Sequence, residues 1–245
     1  MQLSKESLGS GTKRNAGFTL IELAIVLVVI GLIIAAVLKG EDLITNARML
    51  DFITNPVQKA QTEAMAYYDR TGQFPVGSGS NGPLYQMYQA GINSVLDLKN
   101  PFTAGSDSLG MALGTIQVTD SSGNIANYPV ILIEPVIVSA SGGTPTATKW
   151  TNSELGYANY LKSKIDGSTS SWTTGSVRMI SIGNLISYNP LQSEIKTQTT
   201  STYDGYFPST DLVKSSQFVD VNTNTTNIIG SPNYTLVYFY NQQPH

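Results

Sequence analysis

Residues 18–38 read FTLIELAIVLVVIGLIIAAVL, an apolar run whose single charge is Glu22. A helix of about 20 such residues is long enough to cross a hydrocarbon core of ~30 Å, so the segment reads as a membrane helix. Lys13 and Arg14 stand just before it, and the positive-inside tendency then puts the N-terminus in the cytoplasm and everything after Lys39 outside. An ordinary secretory signal has a shorter apolar stretch, about 7–15 residues, ending in small residues at a cleavage site. Ala35-Ala36-Val37 supplies no such pattern. Composition alone leaves a plain uncleaved anchor open. Glu22 weighs against it: a carboxylate in an apolar helix costs on the order of 3 kcal/mol at the bilayer centre, less near its end, and such residues mark a function with a nearby partner.

Gly17-Phe18-Thr19-Leu20-Ile21-Glu22, followed by the long aliphatic stretch, resembles the processing and methylation motif of type IV prepilins and type II secretion pseudopilins. The resemblance covers roughly the first 55 residues. It implies that a prepilin peptidase cuts between Gly17 and Phe18 and methylates the new amino group of Phe18. It also implies that Glu22 and Phe18 serve assembly into a filament. The implied organisation is a cytoplasmic leader over 1–17, a transmembrane and assembly helix over 18–38, an amphipathic continuation over 39–72 and an outer domain over 73–245. The implied partners are the peptidase, other pilin or pseudopilin subunits, the inner-membrane assembly platform and the membrane. The implied location is the bacterial inner membrane, with a single pass, and then a periplasmic or extracellular filament.

Elementary electrostatics couples the cut to assembly. Before it the Phe18 nitrogen is a neutral amide; afterwards it is a cation, and methylation keeps the charge. In a staggered filament that cation can meet Glu22 of a neighbouring subunit and offset a desolvation cost otherwise uncompensated. Gly17 suits the cut because its backbone has no Cβ to obstruct an enzyme.

Past Lys39 apolar residues recur at Leu43, Ala47, Leu50, Val57, Ala60, Ala64 and Tyr67 or Tyr68, close to a 3.6-residue period. This predicts a helix to about Arg70, with Glu41, Asp42, Arg48, Asp51, Lys59 and Glu63 on its polar side. Pro56 predicts a kink just before it, and Gly72 with Pro75 predicts the stop. The rest reads as an α+β domain whose strands pair mainly antiparallel against the helix, the pilin fold. Strands are expected at Thr115–Thr119, Val130–Val138, Val177–Ile182 and Tyr234–Tyr240. Pro129 and Pro135 argue for an edge or a broken strand in the second run. Short helices are expected from Pro83 to about Gly91 and from Thr151-x-x-Glu154, a capping-box spacing. Asp204-Gly205 and Asp120–Asn124 read as turns.

Charged residues make up 13% of the chain, about half the usual share. Residues 1–17 carry Lys5, Lys13 and Arg14 against Glu6, a net of +2, so a total of -3 leaves -5 for the remainder. No basic stripe with interleaved aromatics favours nucleic acid. Cysteine is absent, and His245 is the sole histidine, which removes thiolate and most triad chemistry and any disulfide. No enzyme and no cofactor is therefore expected. Asp220-x-Asn222-x-Asn224 begins like a calcium loop but has Thr225 at the sixth position and Ser231 at the twelfth, which favours a polar turn over a calcium site. Asn224-Thr225-Thr226 and Asn233-Tyr234-Thr235 match a glycosylation acceptor pattern of little specificity.

The reading is a structural filament subunit, a minor pilin or pseudopilin. Major pilins of the resembled family are typically smaller and often carry a C-terminal disulfide. The alternative is a subunit at the filament tip, an adhesin or DNA-uptake pilin that binds a ligand through the outer domain.

Overall fold

The computed structural model describes residues 19–77, 81–119, 122–138, 143–183, 185–190, 203–207 and 212–241. The chain divides into two units, Met1–Asn46 and Ala47–His245. Helix α1 (Leu20–Phe52) contributes to both. Within the first unit its apolar side chains, from Leu20 to Leu38, are exposed around the whole helix. A helix apolar on all sides is built to be covered by lipid or by other helices.

In the second unit the helical path breaks where Pro56 predicts. Asn55 leaves helical geometry (φ -143°, ψ 100°) inside the π-helical segment Ile53–Gln58, and α2 (Lys59–Thr71) follows. The Asn55 amide spans the break, donating to the Asp97 carbonyl at 3.3 Å and accepting from the Lys99 amide at 3.2 Å. The 3₁₀ turn Asn93–Asp97 is thereby tied to the kink. Gly72 closes α2 with φ 74°, and its N–H donates to the Tyr68 carbonyl at 2.8 Å.

The predicted stripe holds only beyond the kink. Val57, Ala60 and Ala64 are buried, whereas Leu43 and Leu50 are exposed. Asn55 resets the helical phase, and upstream of it the inward row is Met49, Phe52 and Ile53. Glu63, expected on the polar side, is instead 3% exposed.

The sheet follows the order β6-β7-β2-β3-β10-β5-β9. Its centre is a hairpin of β2 (Asp107–Thr119) and β3 (Ile125–Ile137), paired from Leu109 with Pro135 to Thr119 with Ile125, with β10 (Thr235–Phe239) against β3 and β5 (Val177–Ile180) beyond. β3 is thus an inner strand, contrary to what its prolines predict. Both lie just outside Val130–Ile133, the residues that pair with β10, so neither removes a rung there, and the Pro135 carbonyl accepts from Thr148 at 2.8 Å. The short strand β4 (Thr146–Ala147) pairs with β3 beside it.

The other edge of β2 is covered in succession by β1 (Phe102–Ala104), β7 (Tyr203–Tyr206) and β8 (Leu212–Lys214). β7 and β8 run parallel to β2, and the other pairings are antiparallel. Between β1 and β7 the Asn100 side chain acts as a rung, accepting from the Met111 amide at 2.9 Å and donating to its carbonyl at 2.8 Å. Asp204-Gly205 is therefore strand, not turn. Gly205 is required because a Cβ there would collide with the Met111 carbonyl oxygen. β6 (Ser187–Pro190) flanks β7, and β9 (Phe218–Val219) flanks β5.

Both faces of the sheet are buried. Leu109, Met111 and Leu113 of β2, Ile131 and Ile133 of β3, and Leu236 and Tyr238 of β10 pack with α2 and α4 (Asn152–Asp166). The alternate residues, Ala112, Ile116, Val130, Leu132, Val237 and Phe239, pack with Leu185, Ile186, Phe207, Val213 and Phe218. Burial on both faces explains why PVILI reads as a continuous apolar run. The class is α+β, with a long N-terminal helix and a mostly antiparallel sheet.

Candidate functional site

Helix α1 opens with a closed set of hydrogen bonds. Thr19 donates from its backbone N and from its hydroxyl to Oε2 of Glu22, each at 2.8 Å, and the Glu22 amide donates back to Thr19 Oγ1 at 3.3 Å. This is the reciprocal arrangement of a capping box, which satisfies otherwise orphaned donors at a helix start. The carboxylate also sits at the positive end of the helix dipole. Both bonds fall on Oε2, which leaves Oε1 without a partner among the described residues. Glu22 therefore has company inside its own chain, where the sequence reading leaves it alone until a cut supplies a cation. Thr19 is the residue that reading missed. Its signal, Thr-x-x-Glu before an apolar run, is the same spacing that identifies α4.

At α4 the device recurs in full: Thr151 donates to Glu154 Oε2 from its amide at 2.9 Å and from its hydroxyl at 3.0 Å, and the Glu154 amide returns a bond of 3.1 Å. There it opens a helix packed on the sheet. At α1 the same box stands at the entrance of a helix with no buried apolar residue before Phe52. Gly17 and Phe18 lie outside the described residues, as do the other residues of the leader.

Asp220, Asn222 and Asn224 open helix α5 (Val221–Gly230) instead of a loop. Asp220 Oδ1 accepts from the Asn222 amide at 3.0 Å, and the side-chain amides of Asn222 and Asn224 donate to the carbonyls of Thr169 and Asp220. Among the described residues no three His, Asp or Glu side chains gather in a metal-binding group. The buried charges of the second unit are structural. Lys162, 1% exposed, donates to Asp166 Oδ2 at 2.7 Å and to the carbonyls of Thr174 and Val177 at 2.6 and 2.8 Å. Burial alone would raise the Asp166 carboxyl, but the Lys162 ammonium and the amides of Val177 and Ser176 hold it below its ordinary value. Asp204 accepts the amides of Leu84 and Tyr85 at the start of α3 (Pro83–Gln89), and burial pushes its carboxyl up to about 7.

Residues 12–38 match the family model described as the prokaryotic N-terminal methylation motif. The chain thus carries the signature of type IV pilins and pseudopilins, on the segment that contains the Thr19–Glu22 box. No curated protein and no solved structure matches the chain.

Proposed function

We propose that the chain is a structural subunit, a minor pilin or pseudopilin, of a type IV pilus or type II secretion pseudopilus. The carrying observation is the buffered carboxylate of Glu22, held at the mouth of an apolar helix inside the methylation motif. Prepilin peptidase cuts between Gly17 and Phe18 and methylates the Phe18 amine. The Thr19 N–H belongs to the Phe18–Thr19 peptide, so the box survives the cut intact. Oε1 of Glu22 then receives the new cation from a neighbouring subunit as the helices pack into a filament core. Before assembly the helix crosses the inner membrane with its N-terminus in the cytoplasm, and the assembly platform extracts it.

Glu22→Val tests the proposal. Processing proceeds normally in the variant, and its amount in purified filaments falls by an order of magnitude or more. Incorporation at the wild-type level contradicts the assigned role.

A further inference from the structure

The second face of the sheet buries a carboxyl whose hydrogen bonds cannot all be made by a carboxylate. Glu134, 1% exposed in β3, is paired with Gly110 of β2. Its Oε1 accepts the Leu185 amide at 2.8 Å and lies 2.6 Å from Thr235 Oγ1, and that same Oγ1 lies 2.6 Å from the Ile182 carbonyl oxygen. Oxygen atoms this close share a proton on each line. The threonine hydroxyl has one proton to give, and a carbonyl has none. Thr235 therefore donates to Ile182, and the proton on the remaining line comes from Glu134. We propose that Glu134 is a neutral carboxylic acid in the folded domain, donating to Thr235, and that its ionisation is the event that loosens Leu185–Pro190 from the sheet.

The surroundings agree. Oε2 of Glu134 and the hydroxyl of Tyr188 are both buried without a partner. An unpaired carbonyl oxygen is a tolerable cost in such a place, whereas an unpaired carboxylate oxygen is a severe one. Tyr188, from β6, is, among the described residues, the titratable group facing Glu134; it closes over Gly110, where a Cβ would overlap its hydroxyl. Arg178, from β5 on the same face, is committed elsewhere: its Nε donates to the Gly175 carbonyl at 2.8 Å and its guanidinium lies over Phe218 and Phe239. Burial pushes the Glu134 carboxyl up, against the opposing pull of the nearby Leu185 and Ile186 amides. A folded state that keeps a proton the unfolded state gives up is favoured below the ordinary glutamate pKa. That advantage is lost as pH rises through the raised folded value.

The test uses the full chain in detergent. Infrared spectra at pH 6 of wild type minus Glu134→Gln should show a protonated carboxyl stretch, and a carboxylate stretch there overturns the proposal. Amide exchange of Leu185–Asn189, corrected for its intrinsic pH dependence, should lose protection about tenfold per pH unit once Glu134 titrates in the wild type, and stay level in Glu134→Gln. Equal loss in both, or none in the wild type, overturns it. Should Glu134→Gln not fold, the same pH series on wild type, Glu63→Gln and Asp204→Asn decides: a loss kept in all three supports the proposal, and a level profile in the wild type, or a loss abolished by Asp204→Asn, refutes it.

Discussion

Thr19 and Glu22 exchange three hydrogen bonds across one turn at the start of α1, two of them from Thr19 to the same carboxylate oxygen. The carboxylate is thus fixed in place before any neighbour arrives, and its outer oxygen alone needs an external partner. Loss of an N-cap hydroxyl costs about 1 kcal/mol. Thr19→Ala should therefore leave cleavage unchanged and lower filament incorporation several-fold, while Thr19→Ser keeps it. Quantitative blotting of processed protein against sheared filaments checks both.

Lys162 holds the segment after α4 by three bonds, to Asp166 and to the carbonyls of Thr174 and Val177. Removing one member of a buried pair strands the other's charge, at a cost of roughly 3–5 kcal/mol. Lys162→Met should lower the urea midpoint accordingly. Because the Asp166 carboxyl is held low, this contribution is present above its unfolded pKa and is lost as pH falls through the folded value. The deficit of the variant should thus shrink in strong acid.

Gly82 lies against the Asp204 carboxyl, and a Cβ there would strike it. Asp204 is already spoken for by Leu84 and Tyr85 and cannot retreat without losing the start of α3. Gly82→Ala should destabilise the second unit by about 1–3 kcal/mol, read by thermal unfolding.

Glu63 faces the core from α2 and is 3% exposed. Burial pushes it up to about 7, with the Lys59 charge and the Ser94 hydroxyl opposing. A raised folded pKa gives stability that is full below the unfolded value and lost as pH climbs through about 7. Between pH 5 and 8 the wild type should lose on the order of 1–2 kcal/mol more than Glu63→Gln, measured by urea titration at each pH.

Local signals made much of this legible. Pro56 marks the kink at Asn55, Gly72 the end of α2, and Thr151-x-x-Glu154 the start of α4, because each works within one turn of chain. The first half of β2 was hidden because Ser108, Gly110 and Gly114 look like turn residues; Gly110 is there for the Tyr188 ring, which arrives from 78 residues away in sequence. Helix α5, rich in Asn and Thr, has poor intrinsic propensity and is held by the Asp220 cap and by burial of Val221 and Ile228. The cover over the second face is assembled from Leu185, Phe207, Val213 and Phe218, which no periodicity links. Glu63 and Glu134 look like surface residues in sequence, and only tertiary packing turns them inward. At the candidate site Glu22 was legible and its partner Thr19 was not, although the spacing that joins them was in view.

Intact-mass spectrometry of the protein recovered from filaments tests the account most directly. A mature chain beginning at Phe18 with one added methyl group is the predicted result, and a chain still beginning at Met1 would contradict it.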